Sequence, residues 1–273
     1  MKRWVTVALL LAICSSPLVA DVKVTSTTTL EGPMAAMMGG VTPTMVTHIK
    51  GYKSRTDLQV GEQQFSTIID AQTSQIIMLN PAEKTARILT PDSLPTGKPG
   101  ETMPMPKVDA SVKPTGQSKL IEGAKCDEQA ISLTISMAEM AAGSQMPPQA
   151  AEMMKDVKVR MDGSAWVAKS GPGVAEYIAF QSASAKQSLS TLTRAMPGVG
   201  SMGLDRLIES FAGASGLAYL TELKMEIEGG GEMAGLLKQF GDMKFTNRVT
   251  DVSTATLPAD LFTVPADYRI IDK

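Results

Sequence analysis

Residues 45–89 read MVTHIKGYKSRTDLQVGEQQFSTIIDAQTSQIIMLNPAEKTARIL, and this stretch decides the fold. It predicts four consecutive antiparallel strands: MVTHIKGYKSRTDL, QQFSTIID, SQIIMLN and KTARIL. The segments between them, residues 59–62, 71–73 and 81–83, carry turn-forming residues or are short enough for hairpins. Connections this short join neighbouring strands, so the stretch predicts a meander within one sheet.

The third strand of this meander is apolar on both sides. Ile76 and Met78 point one way, and Ile77 and Leu79 point the other. Such a strand is typical of the centre of a sheet that is covered on both faces. We expect a helix on one face, and a bound apolar ligand is a candidate cover for the other.

The first 20 residues have the pattern of an export signal. Lys2 and Arg3 precede an apolar run at residues 5–13, and small residues lead to an expected cut before Asp21. The apolar run is too short for a membrane span, and no later stretch is long enough. We therefore expect a periplasmic protein without a transmembrane segment, formed by one domain over residues 21–273.

Charge and composition narrow the classes of partner. The chain has 26 basic and 28 acidic residues, and loss of Lys2 and Arg3 with the signal would bring its net charge from −2 to −4. Nothing in this balance favours nucleic acid or an anionic membrane. Aromatic residues make up only 4% whereas there are 19 methionines, which indicates an adaptable apolar interior.

A single cysteine, Cys126, remains after the signal is removed, because Cys14 lies within it. One thiol cannot form an internal disulfide. Only Lys125 is at hand to lower its pKa, so we interpret Cys126 as a small buried apolar residue and not as a reactive thiol.

Two segments interrupt the strand pattern of the chain. Residues 91–114 hold six prolines and predict an extended loop, and residues 138–155 form a Met/Ala-rich insertion. Between them, residues 116–126 return to the sheet and AISLTISM (130–137) alternates strictly, as a half-buried strand does. Residues 157–162 and 166–169 then predict two strand segments separated by a tight DGS turn.

The helical part of the chain is predicted over residues 174–213. Its second half carries an amphipathic stripe at i, i+3, i+4 and i+7, formed by Leu204, Leu207, Ile208 and Phe211. Further strands follow at residues 217–228 and 243–256. Strands, helices and strands again predict an α+β fold, a curved antiparallel sheet with a helical pair across one face.

Four segments carry a resemblance to a known group. The IKGYKSRTDL strand, the FSTIIDAQTSQIIMLNPAEKTARIL meander, LIEGAKCDE and the closing LPADLFTVPADY resemble a branch of the LolA/LolB-like superfamily of periplasmic lipoprotein carriers. The resemblance implies an incomplete β-barrel whose concave face is closed by helices, with a cavity that takes up acyl chains. The Pro-rich loop and the Met/Ala insertion depart from the carriers, and no ligand-gating residue can be matched.

The leading functional hypothesis is a non-catalytic binder of a lipid or lipoprotein acyl chain, without a cofactor. Burial of an acyl chain gains about 0.8 kcal/mol per methylene, so a dozen methylenes could bind tightly. The predicted cavity wall comprises Ile77, Leu79, Ile131, Leu133 and Ile135, and the predicted lid comprises Leu204, Leu207, Ile208 and Phe211. The same residues would equally suit a filled core, because a side-chain pattern does not distinguish the two.

Other classes of function stay open beside the binder. Met34, Met37 and Met38 could bind Cu(I) through soft thioethers, and a sheet edge or the Pro-rich loop could hold an envelope protein. His48 is the one histidine and is interpreted as a polar strand residue. Neither a G-x-S-x-G nor an HExxH motif is present, so the sequence predicts no enzyme.

Overall fold

A computed structural model describes residues 21–33, 40, 42–93, 108–137, 152–195, 215–230, 234–235, 238 and 241–271. Its strands are β1 (Val22–Glu31), β2 (Thr44–Lys50), β3 (Lys53–Val60), β4 (Gln63–Asp70), β5 (Gln75–Asn80), β6 (Thr85–Leu89), β7 (Val108–Ile121), β8 (Ala124–Ser136), β9 (Lys158–Ala168), β10 (Leu217–Glu228), β11 (Met243–Ser253) and β12 (Arg269–Ile270). Helix α1 spans Val174–Ala195, and 3₁₀ turns lie at Pro91–Ser93 and Ala259–Phe262.

The strands form one unclosed sheet in the order β12-β6-β5-β4-β3-β2-β1-β11-β10-β9-β8-β7. A sheet of this size curls, which agrees with the predicted curvature. The prediction of a purely antiparallel sheet is wrong at one edge, because β12 runs parallel to β6. The long chain return from β11 to the far edge permits this parallel pairing.

The meander is confirmed, but it contains five strands and not four. The predicted first strand is divided into β2 and β3 by a turn at Gly51 and Tyr52, so that Lys50 lies opposite Lys53. Gly51 has φ 58, the positive value that a type II′ hairpin places at its first central residue. The same chain length therefore makes a hairpin where one long strand was expected.

The two later turns of the meander share one construction. Asp70 Oδ1 accepts hydrogen bonds from the backbone N–H groups of the next turn, and Asn80 Oδ1 does the same ten residues later. Each turn ends in a residue with positive φ, Ser74 (57) and Lys84 (49). Side-chain acceptors of this kind stabilise turns locally, so the sequence alone fixes both positions.

Two further predictions about strands are wrong. The last seven residues of the predicted Pro-rich loop, from Val108 on, belong to β7, and residues 94–107 lie outside the described chain. The expected DGS turn does not form, because β9 runs without a break through Asp162, Gly163 and Ser164. A Cβ at Gly163 would stand 1.9 Å from the Glu222 carbonyl oxygen, so the glycine serves a close approach of β9 to β10.

Helix α1 packs on the interior strands of the sheet, near the start of β1, the end of β2 and the start of β10. Val174 and Phe180 belong to a buried cluster that also contains Val22, Ile49 and Tyr219. Gly173 precedes the helix with φ 72, and a Cβ there would stand 2.9 Å from Val22 Cγ1. The predicted helical residues 196–213 and residues 138–151 of the insertion lie outside the described chain. In the described end of the insertion, residues 152–154 form a single helical turn.

The C-terminal tail, residues 257–268, covers β4, β5 and β6. Leu257 and Phe262 of the tail form a second buried cluster with Ile68, Ile77, Leu79 and Ala86. On the other face of β5, Ile76 is 36% exposed and Met78 is 49% exposed. The described residues therefore cover one face of this strand, and the cover of the other face stays a prediction.

Candidate ligand-binding face

One face of the strands from β7 to β11, together with the end of β1, is apolar. Successive partners across the sheet are Val112, Ile131, Gly163, Leu223, Phe245 and Leu30. Residues directly opposite each other on paired strands share a face. We name as the apolar face the set Leu30, Val112, Ile131, Leu133, Ile135, Val159, Met161, Leu223, Met225, Ile227, Met243 and Phe245.

The apolar face is only partly covered by described residues. Phe245 is 37% exposed, and the other members are half-buried. On the same side of the meander, Met45, Leu58 and Phe65 are successive partners and Phe65 is 46% exposed, and the polar residues Ser26 and Thr28 of β1 separate them from the apolar face. An apolar surface as wide as the apolar face is a common mark of a binding site.

The opposite face of β9, β10 and β11 is charged, which indicates that this side of the three strands faces water. Lys224 Nζ lies 2.9 Å from Asp242, Lys244 Nζ lies 3.6 Å from Glu222, and Arg160 forms ion pairs with Asp162 and Glu228. We name this surface the charged face. Its ion pairs are exposed and contribute little to stability each, but they keep this side soluble.

An open depression of about 590 Å³ lies on the charged face around Glu222 and Lys224. Each of its carboxylates, on Glu31, Asp162, Glu222 and Asp242, has a lysine or arginine partner within 4 Å. The Lys224 ammonium donates hydrogen bonds to Glu226 and Asp242, and these bonds raise its pKa. Each carboxylate of this depression is therefore already held by a basic side chain of the protein itself.

The structure separates the residues that the sequence assigned to one cavity wall. Ile131, Leu133 and Ile135 lie together on the apolar face. Ile77 and Leu79 are instead 8% and 3% exposed and pack beneath the tail residues Leu257 and Phe262. They form a filled core there. The lid residues Leu204, Leu207, Ile208 and Phe211 and the methionines Met34, Met37 and Met38 lie outside the described chain.

The wall prediction missed seven members of the apolar face on β9, β10 and β11. These are Val159, Met161, Leu223, Met225, Ile227, Met243 and Phe245. The signal was present for five of them, because Val159 and Met161 alternate with polar residues, as do the three on β10. The alternation does not reveal that β8 pairs with β9 and β9 with β10. This pairing places these residues on the same face as Ile131.

His48 lies in a polar cluster beneath the tail. Its Nδ1 is 3.8 Å from Asp57 Oδ2 and is buried without a hydrogen-bond partner among the described residues. Burial lowers the pKa of His48, and Lys23 and Arg55 lower it further, while Asp57 raises it. Since desolvation is the largest cause, His48 is held neutral at physiological pH.

Asp57, and not His48, is the centre of this cluster. The Ser66 hydroxyl donates to Asp57 Oδ1 at 2.5 Å, and Arg55 Nε donates to the same oxygen at 2.8 Å. Arg55 also donates to the Leu261 carbonyl at 3.3 Å, which holds the tail. A nucleophilic serine needs its proton aimed at the imidazole, so this arrangement serves to attach the tail.

Cys126 is buried and free, as predicted. Burial raises the pKa of the thiol, and Asp127 raises it further, while Lys119 opposes them. Within the described parts of the chain there is no group of three or more His, Cys, Asp or Glu side chains that could hold a metal ion. No described helix is both long enough and apolar enough to cross a membrane.

A scan against protein-family models found no match, and a search of curated proteins found no significant match either.

Proposed function

We propose that this chain is an exported, non-catalytic carrier or binding protein for an apolar ligand, with an acyl chain or lipoprotein acyl group as its ligand class. In this proposal the sheet is the wall of an incomplete β-barrel of the LolA/LolB-like kind. Helix α1 and the amphipathic stripe Leu204, Leu207, Ile208 and Phe211 would close its concave side. The periplasm is the proposed location, given the export pattern of residues 1–20.

The observation that carries the proposal is the half-buried state of the apolar face. Its twelve members carry no charge, and each is an aliphatic, thioether or phenyl side chain. The other side of the same strands is the charged face, so the apolar character is confined to one side of the sheet there. A ligand without charged groups along its length fits the apolar face, as an acyl chain does.

The hydrophobic free energy of burial is large enough to bind such a ligand. Each methylene removed from water gains about 0.8 kcal/mol, so a dozen gain about 10 kcal/mol before the cost of ordering the ligand. The thioethers of Met161, Met225 and Met243 adapt to ligands of different shape. Affinity would therefore rise with chain length and depend little on head-group chemistry.

The test combines native mass spectrometry of protein extracted gently from an envelope fraction with uptake of a fluorescent fatty-acid probe. We expect co-purified lipid and saturable uptake of the probe. A clean apo mass together with no uptake would overturn the proposal. Recovery of a bound polypeptide without lipid would instead favour the envelope protein-interaction alternative.

A matched pair of variants on β8 places the site. Leu133→Asp puts a carboxylate into the apolar face, whereas Thr134→Asp puts it on the other side of the same strand, opposite Arg160. We expect at least tenfold weaker probe binding for Leu133→Asp, which corresponds to about 1.4 kcal/mol, and no change for Thr134→Asp. Equal effects of the two variants would show that the ligand binds elsewhere.

A further inference from the structure

The two edges of the sheet are unequal. One edge is β12, which is two residues long. The other is β7, the longest strand with 14 residues, and β8 is its one partner strand in the described chain. An unpaired strand of this length presents a row of N–H and C=O groups that can pair with another strand.

Only the first part of β7 is a regular edge. The register with β8 is regular from Val108 to Pro114 and shifts between Pro114 and Ser118. Pro114 has no N–H to donate, and an irregular register twists a strand away from its neighbours. The edge available for pairing is therefore the segment 108–113, with sequence VDASVK.

Two opposite charges of this segment have no ion pair with any described residue. Asp109 and Lys113 are both exposed and lie four residues apart, on the side of the strand that continues the charged face. Farther into the sheet, Arg160, Lys224 and Lys244 on that face all have acidic partners. Among the described residues, Asp109 and Lys113 thus lack ion-pair partners on the edge strand itself, as Lys158 does on β9.

We propose that β7 pairs with β7 of a second copy of this chain, antiparallel and with the two-fold axis at Ser111. In this register Asp109 lies opposite Lys113 of the other copy, and Lys113 lies opposite its Asp109. Ala110 lies opposite Val112 on the apolar side. Each copy presents the same patch to the other, as an interface with two-fold symmetry requires.

The charges select this register over its neighbours. A shift of the axis by one residue in either direction removes both pairs of opposite charges, because Asp109 then lies opposite Ser111 or Thr115. An edge contact of six residues buries less area than a stable interface needs, so we expect a weak dimer that forms at high micromolar concentration. In the dimer the apolar faces of two copies become continuous.

The decisive experiment is sedimentation equilibrium of the purified protein with charge-exchange variants. Asp109→Lys alone or Lys113→Asp alone places like charges opposite each other at both ends of the contact, and each should weaken dimerisation about tenfold or more. The double variant Asp109→Lys with Lys113→Asp should restore it. Lys158→Asp, an exposed change on the same face of β9, is the control and should have no effect.

A crosslink tests the register directly. Ser111→Cys should form a disulfide between copies under mild oxidation, because the two positions face each other at the axis. Gln117→Cys, also exposed on β7, should not. A protein that stays monomeric at all concentrations overturns the proposal, and so does a dimer that is insensitive to the single charge reversals or fails to crosslink through position 111.

Discussion

Strands with similar alternating patterns are covered differently in the two halves of the sheet, the covered half formed by the meander β2–β6 and the open half formed by β7–β11. In β5, the alternating side chains Ile77 and Leu79 are covered by the chain's own tail and form a filled core. In β8, the alternating side chains Ile131 and Leu133 stay half-buried on the apolar face. The difference shows that alternation identifies residues that share a face. Whether that face is open to a ligand depends on whether a distant part of the chain covers it.

A matched pair of leucines measures this difference most directly. Leu79→Ala should destabilise the protein by about 3 kcal/mol, because Leu79 is 3% exposed and its removal leaves a cavity beneath the tail. Leu133→Ala should cost about 1 kcal/mol or less in ligand-free protein, because Leu133 is half-buried. Urea unfolding of both variants checks the prediction, and equal losses would mean that both halves are filled cores.

The sequence was informative wherever structure is local. The turns after Asp70 and Asn80 follow from side-chain acceptors within three residues. Gly51 misled the strand count, because a glycine inside an apparent strand reads equally as a bulge or as a turn. Gly163 was predicted to lie in a turn between two strands. It lies instead within β9, where the lack of a side chain permits the close approach of β9 to β10.

The candidate site was only half predictable for a related reason. Ile131, Leu133 and Ile135 share a face by alternation alone, but their neighbours across β9 to β11 depend on strand order and register. The tail over Ile77 and Leu79 is a contact between residues about 180 positions apart in the chain, and no local pattern encodes it. Contacts between such distant segments are therefore the part of the fold that the sequence pattern does not predict.

The attachment of the tail is the next feature to break. Lys50 Nζ donates to Asp21 Oδ2 at 2.8 Å and to the Leu257 carbonyl at 2.7 Å, and the Leu257 N–H donates to the same Asp21 oxygen at 2.6 Å. These bonds join the start of β1 to the start of the tail. The pair is part-buried, since Asp21 is 9% exposed and Lys50 is 37% exposed.

Lys50→Met should therefore destabilise the protein by about 2 kcal/mol, because it leaves the Asp21 carboxylate buried with one donor only. The control is Lys53→Met, whose partner Asp70 is 3.5 Å away and whose side chain is 47% exposed. That change should cost about 0.5 kcal/mol or less. Chemical denaturation compares them, and limited proteolysis shows whether the tail is released first.

The pH dependence of stability sharpens the same comparison, because His48 lies on the covered half. Its pKa is lowered in the folded state, so below pH 6.5 the unfolded chain binds more protons than the folded one. Stability should be constant above pH 6.5 from this source and should fall as the pH drops below it. His48→Gln should have a shallower fall over that range in urea unfolding, and an unchanged slope would show that other groups cause it.

The smallest expected effect lies on the charged face of the open half. Lys244 is 47% exposed, and its Nζ lies 3.6 Å from Glu222 and 3.9 Å from Glu31. Lys244→Met should change stability by only about a few tenths of a kcal/mol, and added salt should reduce the difference further, since water and ions screen exposed pairs. The same substitution at Lys50 removes a partner from a buried carboxylate. A loss at Lys244 as large as the loss at Lys50, measured in the same unfolding experiment, would mean that the charged face is covered, and then the apolar face would not be the open side of this sheet.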